Sequence, residues 1–498
     1  MNLSKIIYIL IIPLFVTACS KQDISWTQNI SSTQNISTSQ IKNNIDTLLT
    51  NPKLKGAQLA IMVRDANSGA IIYQHNANSR LITASSMKLF TSAADFDILG
   101  AEYKFLTSTL TDGTRHKEKL RGNLYLRGSG DPTMLFEDYQ ALAAGIAAKG
   151  IRRVSGDLII DDTWFDNIRL GNDWAQDDEE HYYAAQISAL TVSADKDYDA
   201  GSIMIKLVAS DTVNQPLTVS MIPANNYVTL VNKAKTTRAG GDDTLIIKRE
   251  HGSNRIIISG NLPVGKEKSV LRSVWEPTQL VANLFKQALR QNGIKIEGKT
   301  RIGVATPLHA QELSKHVSIP LSELAIPFLK LSNNTHAEIL LKTIGRKVFN
   351  SGTSQDGIKA IADFSRRNNI DTSSMLQTDG SGLSRRNLVT TKLFTDLLIA
   401  TRKQPWFDQW YAALPVAGDP NKLVGGTLRK RMRGTAAEGN VVAKTGSLSA
   451  VSSLTGYVKT ANHGKLVFSI LSNNALISVK ELEDSIVVLL ANLTQSSY

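Results

Sequence analysis

Apolar positions in this chain recur at two spacings, and the alternation between them lays out its elements. Gln58 to Arg64 and Ala70 to Gln74 flank Asn67-Ser68-Gly69, which predicts a β-hairpin. Next, Thr83 to Leu99 carries Met87, Leu89, Phe90, Ala93, Ala94, Phe96 and Leu99, a spacing that predicts a mostly buried helix. Thr83 is the expected N-cap and Gly100 the expected stop. Near the other end, Val451 to Lys459 and Lys465 to Ser472 predict a second hairpin, and Lys480 to Leu493 a closing helix. One sheet therefore draws strands from both ends of the chain. The region between, Leu106 to Ile302, is strand-rich and punctuated by Asp112-Gly113, Gly128-Ser129-Gly130 and Gly240-Gly241.

A different pattern marks the first residues. Lys5 precedes the apolar run Ile6 to Val16, which is too short to span a bilayer as a mature helix and reads as a signal-peptide core. Polar residues follow up to Gln40, with the near-repeat Thr27-Gln28-Asn29-Ile30-Ser31 and Thr33-Gln34-Asn35-Ile36-Ser37, the composition of a flexible tether. As coil, such a tether has a reach of roughly 25 Å.

Composition narrows the function classes. The chain has 498 residues, 42% hydrophobic and 20% charged, ordinary values for a globular protein with a large core. Its net charge of +12 suits anionic envelope polymers or lipid headgroups, and equally a surface merely kept soluble. No run of Lys and Arg interleaved with aromatics points to nucleic acid. Cys19 is the only cysteine, so no intramolecular disulfide and no Cys-based zinc site can form. Gly293 to Thr300 matches the phosphate-binding loop pattern literally. That loop needs a strand before it and a helix after it. Here a helix, Val281 to Arg290, comes first and a strand, Ile294 to Glu297, follows, so nucleotide binding is rejected.

The chemistry resides in three strings, in order: Ser85-Ser86-Met87-Lys88, Ser332-Asn333-Asn334 and Lys444-Thr445-Gly446. Ser-x-x-Lys, Ser-x-Asn and Lys-Thr-Gly form the signature set of penicillin-recognising acyl-serine enzymes. Rival copies occur at Ser39, Ser193 and Ser472, and their context removes them. Ser39 lies in the polar leader, Ser193 among Asp195 and Asp197, and Ser472 at the end of the strand-like run Leu466 to Leu471. Ser85 and Lys88, three apart on a buried helix, share one face, so the amine can approach the hydroxyl. Ser332 falls at the expected start of a helix through Ala337-Glu338-Ile339-Leu340-Leu341. Lys444 follows Val441-Val442-Ala443 on a strand, where Gly446 would let a substrate backbone approach the edge.

With Asp379-Gly380-Ser381-Gly382-Leu383-Ser384-Arg385 and Tyr182-Tyr183-Ala184-Ala185-Gln186-Ile187-Ser188-Ala189-Leu190, the motifs resemble the class C low-molecular-mass penicillin-binding proteins, D-Ala-D-Ala carboxypeptidases and endopeptidases of bacterial cell walls. The resemblance runs from about Ile41 to the C-terminus, and the long stretch between Lys88 and Ser332 is characteristic of that class. It implies an α/β fold: a penicillin-binding, serine β-lactamase-like catalytic domain with an antiparallel sheet flanked by helices, and strand-rich domains inserted between the first two motifs. The implied division is residues 41–103 and 306–498 for the catalytic domain, 104–193 and 268–305 for an inserted domain, and 194–267 for a second domain nested in it. Val16-Thr17-Ala18-Cys19 resembles a bacterial lipobox, which makes residues 1–18 a lipoprotein signal peptide, 19–40 the tether and Cys19 the lipidated first mature residue. The envelope is then the expected location.

The implied mechanism has Ser85 attack the carbonyl of the penultimate D-alanine. Lys88, buried and near cationic Lys444, takes the proton at a lowered pKa. Ser332 relays it to the leaving amine, Asn334 holds the substrate amide, Lys444 pairs with the terminal carboxylate or tunes Lys88 and Ser332, and Thr445, Gly446 and Ser447 bind substrate. The N–H groups of Ser85 and Ser447 form the oxyanion hole. Asp178, in Trp174-Ala175-Gln176-Asp177-Asp178, is expected to bind the free amine of the stem diamino acid, and Arg385 the accompanying carboxylate where that residue is diaminopimelate rather than lysine. Asp177 to Glu180 also reads as a solvated acidic loop. No metal or organic cofactor is implied. The implied partners are peptidoglycan stem peptides, β-lactams and, through the anchor, a membrane. A serine β-lactamase shares all three motifs, and a non-enzymatic envelope lipoprotein binding wall peptide is the reading from another class.

Overall fold

The computed structural model describes residues 36–494. Cys19, the signal sequence and most of the tether lie outside the described residues. The first element, α1 (Thr38–Leu49), starts inside the stretch expected as tether. Ser37 caps it: its Oγ accepts from Gln40 N while the Gln40 side chain accepts from Ser37 N, and Ile41 and Ile45 are buried. This capping box outweighs the polar composition that suggested coil.

Five strands form the central antiparallel sheet: β1 (Gln58–Asp65), β2 (Ile71–His75), β3 (Val442–Leu448), β4 (Val451–Lys459) and β5 (Lys465–Asn473), in spatial order β2-β1-β5-β4-β3. The turn after β1 is closed by Asp65, whose Oδ1 accepts from Ser68 N at 2.7 Å. Side chains of β5 alternate between two cores. Leu466, Phe468 and Ile470 pack with α1 and the closing helix α5 (Lys480–Ala491), whereas Val467 and Leu471 pack with the helices on the other face. Burial on both faces explains why these strands read as unbroken apolar runs.

That second face carries α2 (Lys88–Leu99), α3 (Leu321–Lys330) and α4 (Asn334–Phe349). The helix expected from Thr83 instead begins as a short 3₁₀ turn, Ala84–Met87, and becomes α-helical at Lys88. Thr83 makes no side-chain cap. The turn is docked on β4: Ser453 Oγ donates to Thr83 O at 2.8 Å and lies 2.7 Å from Ser86 Oγ. Ser332 likewise precedes its helix, since Asn333 is the N-cap of α4 and accepts from His336 N.

Between α2 and α3 lies the strand-rich region. One sheet orders Thr300–Ile302, Leu158–Asp161, Leu124–Gly128, Leu106–Thr111 and Gln311–Val317. The last strand pairs antiparallel with Leu106–Thr111, so the expected boundary at 305/306 moves to the end of Val317. Similarly, Glu267–Ser273 pairs with Ser202–Val208, which carries the innermost unit past the expected 267. The phosphate-loop lookalike follows a helix, Pro277–Gln291, and contains the short strand Lys295–Ile296. Among the described residues no helix is long and apolar enough to cross a membrane.

Candidate active site

The three motifs converge where α2, the loop before α4 and strand β3 meet. Ser85 is half-buried in the 3₁₀ turn, immediately after Ala84, which holds a left-handed φ of 44°. Lys88 is fully buried one turn on. Its Nζ donates to Asn334 Oδ1 at 2.6 Å and Ser381 O at 2.7 Å, and lies 2.9 Å from Ser85 Oγ. Burial lowers the Lys88 pKa to about 7, while Asp379 and Glu338 pull it back toward the ammonium. Of the two expected causes, desolvation lowers it, and the charge of Lys444 is not among the groups that shift it. A neutral amine has two N–H groups and one lone pair. With both N–H groups taken by the Asn334 and Ser381 oxygens, the lone pair is left for the Ser85 hydroxyl.

Lys444, also fully buried, donates to Ser332 Oγ and to Thr445 O, each at 2.8 Å. Burial holds its amine well below the usual lysine range, and the nearby Lys88 charge adds to that. Ser332 has a φ of 64°, so its hydroxyl reaches Lys444 from a left-handed backbone that Asn333 then caps into α4. Asn334 is engaged at both ends, since its Nδ2 donates to Tyr183 O at 2.8 Å. Only the second Nδ2–H is left for a substrate amide, a narrower role than the sequence suggests.

Gly446 owes its place to the protein itself. A Cβ there would lie 2.3 Å from Ser453 Oγ, 2.8 Å from Ser85 N and 2.9 Å from Ala84 Cβ. It would push away the turn that presents Ser85 and cover the Ser85 amide. Ser447, next along β3, is exposed. The Ser85 amide therefore lies against β3 at Gly446, one residue before Ser447.

The sequence reading missed the frame around Lys88. Glu338, fully buried on α4, accepts from Ser381 N at 2.8 Å and Gly380 N at 3.0 Å. Burial, reinforced by Asp379, raises its pKa to about 7. Asp379 accepts from Gly382 N and Asn387 Nδ2 at 2.8 Å, Ser384 N at 2.7 Å and Trp174 Nε1 at 3.0 Å. These bonds fix the loop whose Ser381 carbonyl holds Lys88. Gly382 (φ 82°) is required there, because a Cβ would meet Ala84 O at 1.8 Å. A lone acid inside the apolar run Ala337 to Leu341 was the available signal for Glu338.

The segment Asp173 to Tyr183 is pinned beside the site at three points: Asp173 to Arg386 at 3.1 Å, Trp174 to Asp379, and Tyr183 O to Asn334. Asp178 is half-buried there and accepts from Tyr183 OH at 2.8 Å. Arg385 is exposed, and its Nη2 donates to Ser449 O at 2.9 Å, just past the end of β3. Asp178 thus adjoins Tyr183, whose carbonyl holds Asn334, and Arg385 adjoins the end of β3. Cys19 lies outside the described residues. Among the described residues no group of three or more His, Cys, Asp or Glu is placed to hold a metal ion.

The chain is similar to known proteins over most of its length. Over 438 residues the chain is 42% identical to a D-alanyl-D-alanine carboxypeptidase of Actinomadura sp. (strain R39), covering 87% of this chain and 81% of that one. It is 28% identical over 426 residues to the D-alanyl-D-alanine carboxypeptidase DacB of Haemophilus influenzae, covering 84% and 86%. The crystal structure of penicillin binding protein 4 from the same organism superposes with a TM-score of 0.76 at 24% identity, over 92% of this chain and 98% of that one, and so shares its fold. Residues 41–493 match the model of the D-Ala-D-Ala carboxypeptidase 3 (S13) family. The chain belongs to that family and is a peptidase hydrolase of the D-Ala-D-Ala carboxypeptidase type.

Proposed function

We propose that Ser85 is the nucleophile of a D-Ala-D-Ala carboxypeptidase acting on wall stem peptides, with neutral Lys88 as its base. The observation that carries this reading is the 2.9 Å contact between Lys88 Nζ and Ser85 Oγ, with the other two contacts of the amine made to oxygen acceptors. Ser85 Oγ bonds to the carbonyl carbon of the penultimate D-alanine as its proton moves to Lys88. The developing oxyanion sits between the Ser85 and Ser447 N–H groups. The C–N bond then breaks, and the proton reaches the leaving amine through Ser332, which Lys444 holds at 2.8 Å. Water cleaves the acyl-serine in the second half. The arriving carboxylate of the substrate favours the ammonium form of Lys444, so the buried amine becomes the anchor once its partner is present. β-Lactams, which present a reactive carbonyl and a carboxylate at similar positions, acylate the same serine.

Two finer assignments complete the proposal. Asp178 binds the free amine of the stem diamino acid, and Arg385 with the Ser449 region receives the carboxylate that accompanies it. Cys19 is lipidated, so that the enzyme is tethered to an envelope membrane through residues outside the described part.

Release of D-alanine from a stem pentapeptide should be readily measured with the wild type, and should be absent both in Ser85→Ala and after pretreatment with benzylpenicillin. Release that persists in folded Ser85→Ala contradicts the assignment. Asp178→Asn should lower kcat/KM about tenfold for a peptide with the free amine, through loss of one charge-assisted contact, while leaving benzylpenicillin acylation within about twofold. Equal losses in both reactions contradict a role in specificity. Cys19→Ala should abolish incorporation of radioactive palmitate and leave the protein uncleaved or in the soluble fraction; undiminished labelling rules out Cys19 as the lipidated residue.

A further inference from the structure

The acidic run Asp177-Asp178-Glu179-Glu180, which the sequence also allows as a solvated loop, is split by the fold. Asp177 is exposed and Asp178 half-buried beside Tyr183, but Glu179 is buried. Its partner is Arg249, the last residue of strand Ile246–Arg249 in the innermost unit, and the two side chains are only 8% and 2% exposed. Arg249 Nη2 donates at 2.8 Å both to Glu179 Oε1 and to the Glu179 carbonyl, so it grips the backbone as well as the carboxylate. Ser273 Oγ donates to the same carbonyl, His251 Nδ1 lies 2.6 Å from Glu179 Oε2, and Glu180 Oε2 accepts from Arg249 N at 2.7 Å. Glu180 O then accepts from Ser273 N at 3.3 Å and His181 bridges Arg272, which adds this stretch to the edge of strand Glu267–Ser273.

Burying a guanidinium with a carboxylate adds little net stability, because each charge is stripped of water. Removing one partner leaves an uncompensated charge, so the pair favours one arrangement of the chain around it. The other contacts of Arg249 hold it in that arrangement. Its Nη1 donates to Ser253 O at 2.8 Å, and its guanidinium lies 6.0 Å from the centre of the Trp275 ring. What the pair fixes is the stretch bracketed by Asp178 and Tyr183. Asp178 immediately precedes Glu179, and His181 stacks its ring on that of Tyr183 with centroids 5.1 Å apart. The Tyr183 hydroxyl donates to Asp178, and the Tyr183 carbonyl accepts from Asn334, which in turn holds Lys88.

We propose that Arg249 is a positioning residue for substrate choice: through its grip on Glu179, the innermost unit holds Asp178 against Tyr183, where it meets the free amine of the stem diamino acid. The inference rests on the proposed role of Asp178 and adds to it a residue outside the catalytic part of the chain. The bonds of Arg249 reach none of the three motifs, so it acts only through its neighbour. Asp173 and Trp174 fasten the start of the segment to the catalytic side, and the Arg249–Glu179 pair fastens its middle to the insert. The reaction at Ser85 is unchanged.

The test measures kcat/KM for two stem peptides that differ only in whether the side-chain amine of the diamino acid is free or acetylated, alongside acylation by benzylpenicillin. The wild type should prefer the free amine by about tenfold or more. Arg249→Met, which keeps an apolar stem and removes the donors, should bring that preference to within about twofold of unity by raising KM for the free-amine peptide, with the acetylated peptide and penicillin within about threefold of wild type. Arg249→Met/Asp178→Asn should lose no more preference than Asp178→Asn alone, since one residue acts through the other. Glu179→Gln gives the same ratio test should Arg249→Met take up no penicillin. Equal losses in all three reactions, an undiminished preference in the variants, or additive losses in the double variant overturn the positioning role and leave Asp178 as the amine's partner. A wild type that releases D-alanine with no preference between the two peptides defeats the role of Asp178, and the inference with it.

Discussion

The burial of one amine organises this molecule. Among the described residues Lys88 has no carboxylate within hydrogen-bond distance; its partners are a side-chain amide oxygen, a peptide carbonyl and the Ser85 hydroxyl. Removing an ammonium from water without an ion-pair partner is expensive, and the group responds by giving up its proton near neutrality. A lysine that is neutral at that pH can accept a proton from a neighbour, which an exposed lysine cannot do. Asp379 and Glu338 lie close enough to oppose this shift, and far enough not to cancel it.

Much of the surrounding backbone serves to hold that amine in place. Glu338 fixes the peptide whose carbonyl faces Lys88, and Asp379 gathers four donors from its own loop and from the insert. Ala84 and Ser332 both occupy left-handed conformations that cost non-glycine residues energy. Close approaches at Gly382 and Gly446 leave no room for a Cβ, so the turn bearing Ser85 is clamped between the loop and β3. The insert joins this frame through Trp174 and Tyr183, which is why a segment remote in the chain can border the catalytic groups.

The sequence made the catalytic part legible because its elements are long and their context is unambiguous. The continuous run Leu466 to Leu471 marks a strand buried on both faces, and the apolar helix after Ser85 separates the true Ser-x-x-Lys from its rivals. The insert was harder to divide, since Gln311–Val317 pairs with Leu106–Thr111 far back in the chain, and nothing local marks that partnership. Helix α1 was missed because its start depends on a two-residue cap within polar sequence. The motifs named residues that the fold brings together but not all of their electrostatics: of the two expected causes only desolvation, not Lys444, lowers Lys88, and a Cβ at Gly446 would meet the Ser85 turn. Glu338 left only a faint trace, one acid in an apolar stretch, because its partners are backbone amides that carry no sequence signal.

The claim that Lys88 is a neutral base held by burial is tested most directly by the second-order rate of Ser85 acylation by benzylpenicillin as a function of pH. This rate reports ionisations of the free enzyme. With the amine lowered to about 7, the deprotonated fraction grows as pH rises, so the rate should climb about tenfold per pH unit below the pKa and level off above roughly pH 8. A rate that continues to climb at that slope beyond roughly pH 9, as a lysine with its ordinary pKa would require, contradicts the account.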